Sequence, residues 1–317
     1  MARRSKTRSV LAKTPTTESK IAIAISTTSK RLKGEIFMKY VTLNTGAKMP
    51  MLGLGVYRME GETGGKEAIL AAFEAGYRSI DTAAAYDNEL LVGEAIRESG
   101  LKREELFVTT KLSNPAQRAG NVQGEFAESL EKLGLDYVDL YLMHWPVPEH
   151  YRESWAVMES FFKSGRAKAI GVSNFQGYHI EEIKQNWSVV PAVNQVELHP
   201  RLTQKPLLEV CQAEGIAPQS WSPLGGGKDF DSKGILIADE TLTKIGKKYD
   251  KSAAQVILRW NIEKQIIAIP KSAKPERIKS NIDIFDFALT PQEIAEIDNL
   301  NVNQRTGPDP DNFAHLF

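Results

Sequence analysis

Short apolar runs recur along the chain, separated by stretches with helical periodicity. The runs are Leu52–Tyr57, Ser79–Thr82, Leu106–Lys111, Tyr137–His144, Ala167–Asn174, Ala192–Leu198, Ala217–Pro223 and Ile266–Lys271. Apolar residues occupy consecutive positions in them, as in Tyr141-Leu142-Met143. A strand covered on both faces has that pattern, and parallel sheets consist of such strands. Between the runs, Ile69, Leu70 and Phe73 in Lys66–Ala75 repeat with the period of one helix face, as do Val256, Ile257 and Trp260 in Ala253–Ile262. Eight strand–helix units without a long linker predict an α/β protein closed as a (β/α)8 TIM barrel. Ahead of them, Tyr40–Leu43 and Lys48–Met49 flank Asn44-Thr45-Gly46, which predicts a short hairpin. An open doubly wound sheet fits less well. Its dinucleotide fingerprint would follow the first strand, but Gly53-Leu54-Gly55-Val56-Tyr57-Arg58 lacks the third glycine and no helix opens at once. Ser222–Asp229 is not a P-loop either, because the first glycine and the final Ser/Thr are absent.

Composition narrows the function classes. The chain has 317 residues, 42% hydrophobic and 25% charged, an ordinary globular balance. Lys+Arg and Asp+Glu both number 40, so there is no overall basic excess for nucleic acid. The single cysteine, Cys211, excludes an internal disulfide and any multi-cysteine metal centre, and no metal site is expected. No apolar run approaches the roughly 18 residues of a membrane span. The zero net charge conceals an asymmetry. Residues 1–37 hold nine Lys/Arg against two acidic residues, and the remainder is net acidic by the same margin of seven. This first segment is rich in Ser and Thr and poor in apolar residues, so it reads as a disordered basic extension. Three readings of it compete: an extension upstream of a start at Met38, a transit peptide, or an arm for an acidic partner. Residues 38–317 read as one barrel domain, expected in the cytoplasm, or in an organelle if 1–37 is a transit peptide.

In a barrel the chemistry sits where the strands end. The second run ends in Asp81, with Tyr86 soon after; the third in Lys111; the fourth in His144 and Trp145. The fifth ends in Ser173 and Asn174, the sixth carries Asn194 and Gln195, the seventh ends in Trp221-Ser222-Pro223 and the eighth in Lys271-Ser272. A lysine beside a tyrosine favours the phenolate and lowers the phenol's pKa from about 10. An aspartate would hold that lysine, and a neutral histidine would orient a carbonyl. Such a set can donate a proton to a developing alkoxide. The hydride must then come from a nicotinamide cofactor, since no side chain provides one. Spacing alone supports the set only weakly, because Asp–Lys pairs often only hold elements together and a lone strand-end histidine is more often structural than catalytic.

Longer stretches resemble the aldo-keto reductase family across nearly all of 40–317. They are GYRSIDTAAAYDNE (76–89), TTKLSN (109–114), DLYLMHWP (139–146), AIGVSNF (169–175), PAVNQVELHP (191–200), WSPLGGG (221–227) and IPKS followed by Arg277 and Asn281. The chain is most similar to the microbial branch of 2,5-diketo-D-gluconate reductases, glyoxal or methylglyoxal reductases and prostaglandin F synthase-like enzymes, an impression the tail RTGPDPDNF (305–313) strengthens. The resemblance implies a TIM barrel with a hairpin capping its bottom, Tyr86 as general acid, Lys111 tuning it, Asp81 supporting Lys111, and His144 orienting the carbonyl. It implies that Ser173, Asn174 and Gln195 hold the nicotinamide carboxamide and that Trp221 stacks on the ring. Ser222, Leu224 and Gly225 would belong to the loop over the pyrophosphate, where glycines let backbone N–H groups approach. Lys271, Ser272 and Arg277 would clamp a 2′-phosphate and Asn281 the adenine, favouring NADPH over NADH. Tyr57 and Trp145 would line an aromatic substrate pocket. Two departures stand out: Ser113 where relatives often carry Trp, making one pocket wall smaller or more polar, and Ser280 where Glu is common.

The remaining candidates have plainer readings. His150, His179 and His315 read as surface residues, His199 as structural, and Cys211 as a buried small hydrophobe. Asn186-Trp187-Ser188 matches a glycosylation sequon only by pattern. Two functions follow: an NADPH-dependent reductase of aldehydes and ketones, monomeric by the family's habit, or a cofactor-binding regulatory subunit on the same fold, which the basic arm could serve.

Overall fold

The structure, a computed structural model, describes residues 38–61, 64–186, 188–226 and 234–313. The basic extension 1–37, Trp187 of the sequon and His315 lie outside them. Strands β1 (Tyr40–Thr42) and β2 (Lys48–Pro50) form the antiparallel hairpin expected from the sequence. Gly46, at φ +85°, takes the left-handed turn conformation that glycine adopts without penalty. Asn44 donates to the Pro191 carbonyl at 3.0 Å, just before a barrel strand begins, so the hairpin covers the barrel's bottom.

The eight remaining strands are β3 (Leu54–Gly55), β4 (Ser79–Asp81), β5 (Phe107–Leu112), β6 (Leu140–Met143), β7 (Ile170–Ser173), β8 (Val193–Glu197), β9 (Ala217–Trp221) and β10 (Ile267–Ala268). They pair in sequence order, all parallel. The first and last also meet: Gly53 N–H donates to Ala268 O at 2.9 Å and Gly55 N–H to Pro270 O at 3.2 Å, and Leu52 bridges Ala268. The sheet therefore closes into the (β/α)8 barrel. Helices return the chain between strands, among them Gly65–Glu74, Glu89–Glu98, Val122–Leu133 and Ala253–Glu263. The last of these opens on a capping box in which Ser252 and Gln255 satisfy each other's backbone N–H groups.

Strands β3 to β8 and β10 are buried throughout, as the consecutive apolar positions required, and β9 leaves only Pro218 and Trp221 partly exposed. Packing sets a glycine at 171. A Cβ there would lie 2.6 Å from Val193 O and 2.8 Å from a Leu142 methyl, so β7 can nestle between β6 and β8 only without a side chain. Among the described residues no helix is long and apolar enough to cross a membrane.

Candidate active site

The carboxyl ends of β4 to β9 converge on one cluster. Asp81, the last residue of β4, is buried, and its Oδ1 accepts from the equally buried Lys111 ammonium on β5. Lys111 Nζ also donates to the Thr82 carbonyl at 2.9 Å and to the Tyr86 hydroxyl at 3.3 Å. Tyr86 rides on a single 3-10 turn, Ala84–Tyr86, which Asp87 closes in the left-handed conformation at φ 53°. Asn88 anchors that turn. It accepts from the Thr82 hydroxyl at 2.6 Å and donates to the Val56 and Met59 carbonyls. The His144 ring meets the Tyr86 ring edge-on, with centroids 5.5 Å apart, and the Tyr57 ring packs tilted against Tyr86 at 4.9 Å. The four residues expected to act together are thus brought together.

Asp81 Oδ2 takes a second donor, Gln195 Nε2 at 2.6 Å, and that nitrogen also donates to Gln219 Oε1 at 2.9 Å. Burial holds the Asp81 carboxyl above its usual range, and the Lys111 ammonium and Gln195 amide offset only part of that. Both carboxyl oxygens face donors, so we assign the carboxylate. Burial works against the Lys111 charge, but Asp81 and Tyr86 outweigh it and hold the ammonium above its usual range. Removing one partner of such a pair costs about 3–5 kcal/mol. The Tyr86 hydroxyl is raised by burial, with Lys111 pulling the other way. The lowering expected from Lys111 alone is therefore reversed in sum, because desolvation of a phenolate outweighs one neighbouring cation. The phenol is protonated at neutral pH. Burial, followed by the Lys111 charge, lowers His144 to about 3, so its ring is neutral. The His144 side chain makes no hydrogen bond among the described residues and can serve a substrate.

A second group lies beside this corner. Asn174, left-handed at φ 64°, donates to the His144 carbonyl at 3.0 Å and to Ser173 Oγ at 3.1 Å, and accepts from Trp221 Nε1 at 2.8 Å. Ser173 Oγ donates to the Gln195 carbonyl at 2.8 Å. These bonds tie the ends of β6, β7, β8 and β9 around the Trp221 ring. Both Nε2 hydrogens of Gln195 are engaged, so toward a carboxamide Gln195 would act as an acceptor through Oε1. Ser222 at φ 47° and Gly225 and Gly226 at φ 78° and 76° curl the loop after β9, and Gly225 N–H closes it on Ser222 O at 2.8 Å. Leu224 packs partly against the core.

Beyond β10, Lys271 and Ser272 precede the helix Pro275–Ile282, which carries Arg277 and the buried Asn281. Ser272 Oγ accepts from Lys274 N–H at 3.1 Å at that helix's start. Lys271 and Arg277 are exposed and have no side-chain partner among the described residues. Two open cations beside a helix N-terminus suit a phosphate. The donor set therefore fits a nicotinamide dinucleotide carrying an extra phosphate: a ring platform, amide groups, a glycine loop and a cationic end.

Expectations change at Ser113 and His179, whereas Cys211 is buried as expected. Ser113 does not add polarity to the pocket. Its hydroxyl donates to Glu125 and accepts from Ala116 N–H as the N-cap of Asn114–Arg118, leaving only a smaller wall. Trp145 is buried, and its carbonyl accepts from Gln117 at 3.1 Å. His179 is buried rather than on the surface, packed among Tyr151, Phe175 and Tyr178, and Gln176 N–H donates to its Nδ1. Cys211 is buried, its thiol raised to about 11 by burial. Asn88, Gln219 and Glu197 went unread in the sequence, though Asn88 and Glu197 lie inside the recognisable stretches. No group of three or more metal-ligating side chains occurs among the described residues.

The profile of the Aldo/keto reductase family matches residues 52–302. Glyoxal reductase of Bacillus subtilis (strain 168) is 48% identical over 271 residues, 86% of this chain and 96% of its own. The 9,11-endoperoxide prostaglandin H2 reductase of Trypanosoma cruzi (strain CL Brener) is 46% identical, covering 86% of this chain and 95% of its own. Among solved structures, a Bombyx mori aldo-keto reductase in complex with NADP superposes with a TM-score of 0.79 at 41% identity, over 86% of this chain and 95% of that one.

Proposed function

The chain belongs to the aldo/keto reductase family, whose members are oxidoreductases acting on carbonyl groups, and from that premise we propose that it uses NADPH and that its residues divide the work as follows. Tyr86 is the proton donor, Lys111 and Asp81 its electrostatic support, and His144 the carbonyl-orienting group. Ser173, Asn174 and Gln195 receive the carboxamide, and Trp221 offers its face to the ring. Ser222, Leu224 and Gly225 form the pyrophosphate loop. Lys271, Ser272 and Arg277 take the 2′-phosphate, and Asn281 the adenine. Bound NADPH supplies the hydride to the carbonyl carbon. Tyr86 gives its hydroxyl proton to the carbonyl oxygen, so the product is an alcohol and a phenolate. The Lys111 ammonium, 3.3 Å from that oxygen, stabilises the phenolate until solvent restores the proton. Neutral His144 donates a ring N–H to the carbonyl oxygen and aligns it between the two transfers.

The observation that carries this reading is the Tyr86 hydroxyl. It is paired with a buried ammonium that is itself held by a buried carboxylate, and it stands against a neutral imidazole. A purely structural ion pair has no need of the phenol.

The substrates we propose are small reactive aldehydes, dicarbonyls or keto-sugar acids. The glyoxal reductase relative supports the dicarbonyls, and the aromatic walls of Tyr57 and Trp145 with the small Ser113 suit compact carbonyl compounds. A monomeric, cytoplasmic enzyme is the accompanying reading, the first part checked by light scattering. The direct experiment follows absorbance at 340 nm with NADPH or NADH against methylglyoxal, a benzaldehyde and a diketo-sugar acid. NADPH oxidation well ahead of NADH supports both the reductase and the phosphate clamp. NADPH binding without turnover of any carbonyl overturns the proposed chemistry.

A further inference from the structure

Glu197, the last residue of β8, has no exposed surface and no place in the proton-transfer group. A carboxylate so buried must be met by donors. Four reach it. Thr306 N–H and Thr306 Oγ each donate at 2.6 Å, Gly307 N–H at 3.2 Å, and His199 Nε2 lies 3.1 Å away. Arg305 adds a cation at 3.9 Å. Burial pushes the Glu197 carboxyl up, but the bonds from His199 and Thr306 outweigh it and hold it below the usual range. Three of the four close donors come from a segment more than 100 residues away in sequence.

That segment touches Trp221. A Cβ on Gly307 would lie 2.4 Å from Trp221 Cη2 and 3.0 Å from Cζ3, so the backbone at 307 rests directly on the ring's outer edge. The opposite edge is tied through Nε1 to Asn174. Trp221 is also the register partner of Glu197 across β8 and β9. The ring is thus held between one hydrogen bond and one backbone contact, and the contact is fixed by a carboxylate on the neighbouring strand.

We propose that Glu197 is a positioning residue: its buried carboxylate latches Arg305–Gly307 across the edge of Trp221 and so sets the face offered to the nicotinamide. The inference rests on the reading of Trp221 as the stacking platform. Every group of the latch belongs to this chain, so it preorganises the platform and lowers the cost of ordering it on binding.

Thr306 is the residue to change, since it lies at the segment and not in the barrel. Thr306→Val removes the hydroxyl donor at nearly constant shape, and Thr306→Ser restores it. Gly307→Ala forces the ring to shift. Dissociation of NADPH is measured by titration, and acrylamide quenching of tryptophan emission in the free protein is read as the difference from Trp221→Phe. The expected result is about fivefold weaker NADPH binding in Thr306→Val, roughly tenfold in Gly307→Ala, and recovery in Thr306→Ser. Easier quenching of Trp221 should accompany the first two. If Trp221→Leu weakens binding and neither segment variant does, the latch is wrong and the stacking reading stands. If Trp221→Leu, which lacks an aromatic face, binds NADPH like the parent, the stacking reading itself fails and the latch falls with it.

Discussion

The two ends of the proposed site are built on opposite principles. At the proton-transfer corner every charged group is buried and answered: Asp81 by Lys111 and Gln195, Lys111 by Asp81, Thr82 and Tyr86. At the phosphate end, Lys271 and Arg277 stand in solvent without side-chain partners among the described residues. The difference follows from dielectric. An unpaired charge in the interior costs several kcal/mol, so a buried site must carry its partners permanently. A cation in water costs nothing to leave free, so an exposed clamp can wait for its ligand. The corner is therefore preorganised and intolerant of change, and the clamp should be adjustable.

The largest effects should come from the corner. Tyr86→Phe leaves packing nearly intact and removes the transferable proton. Turnover should fall roughly a thousandfold with NADPH affinity retained, measured by single-turnover absorbance and by titration. Activity within a few-fold of the parent would break the assignment. Lys111→Met comes next. It should lower turnover about a hundredfold or more and also destabilise the fold by about 3 kcal/mol, because Asp81 is left buried and unpaired. Denaturant unfolding separates the two effects. A variant as stable as the parent would mean that Asp81 is neutral there.

At the clamp the expected change is of another kind. Lys271→Ala with Arg277→Ala should weaken NADPH binding by roughly 10- to 100-fold, leave NADH binding and stability near the parent's, and barely alter the rate at saturating cofactor. Equal weakening of both cofactors would show that these cations do not read the 2′-phosphate. High salt should weaken the parent's preference in the same direction, since exposed charges are screened.

How far the sequence could be read divides along the same line. The strands were legible because parallel burial forces consecutive apolar residues: seven of the eight runs contain a strand, and β5 overruns its run by one residue, Leu112. Their lengths were less so. The run Tyr137–His144 shrinks to Leu140–Met143 and Ile266–Lys271 to Ile267–Ala268, since the ladder stops where the chain turns to present its polar ends. The four residues of the corner were legible as types at strand ends. The sign of the Tyr86 shift was not, because spacing shows the neighbouring lysine but not the burial that outweighs it. Glu197 was illegible as a latch for a different reason. Three of its four close donors, two of them backbone N–H groups, lie on a distant segment, which no side-chain pattern announces.

The smallest expected effect is a pH dependence that fails to appear. An ordinary histidine titrates near 6.5, and a proton-transfer step using it would bend the rate profile there. His144 is held near 3 by burial and by Lys111, so it stays a neutral donor through the neutral range, and reductase turnover should be flat from about pH 5.5 to 8 apart from cofactor binding. Stability should carry the mark instead. The unfolded chain takes up a proton at His144 below about 6.5, and the folded chain takes none until about 3, so stability is full above that range and declines as pH falls through it. Imidazole nitrogen shifts of His144, followed by NMR in the parent and assigned against His144→Gln, measure this directly. A titration near 6.5 would mean that water or a counter-charge reaches the ring, and the corner would then share the openness of the clamp.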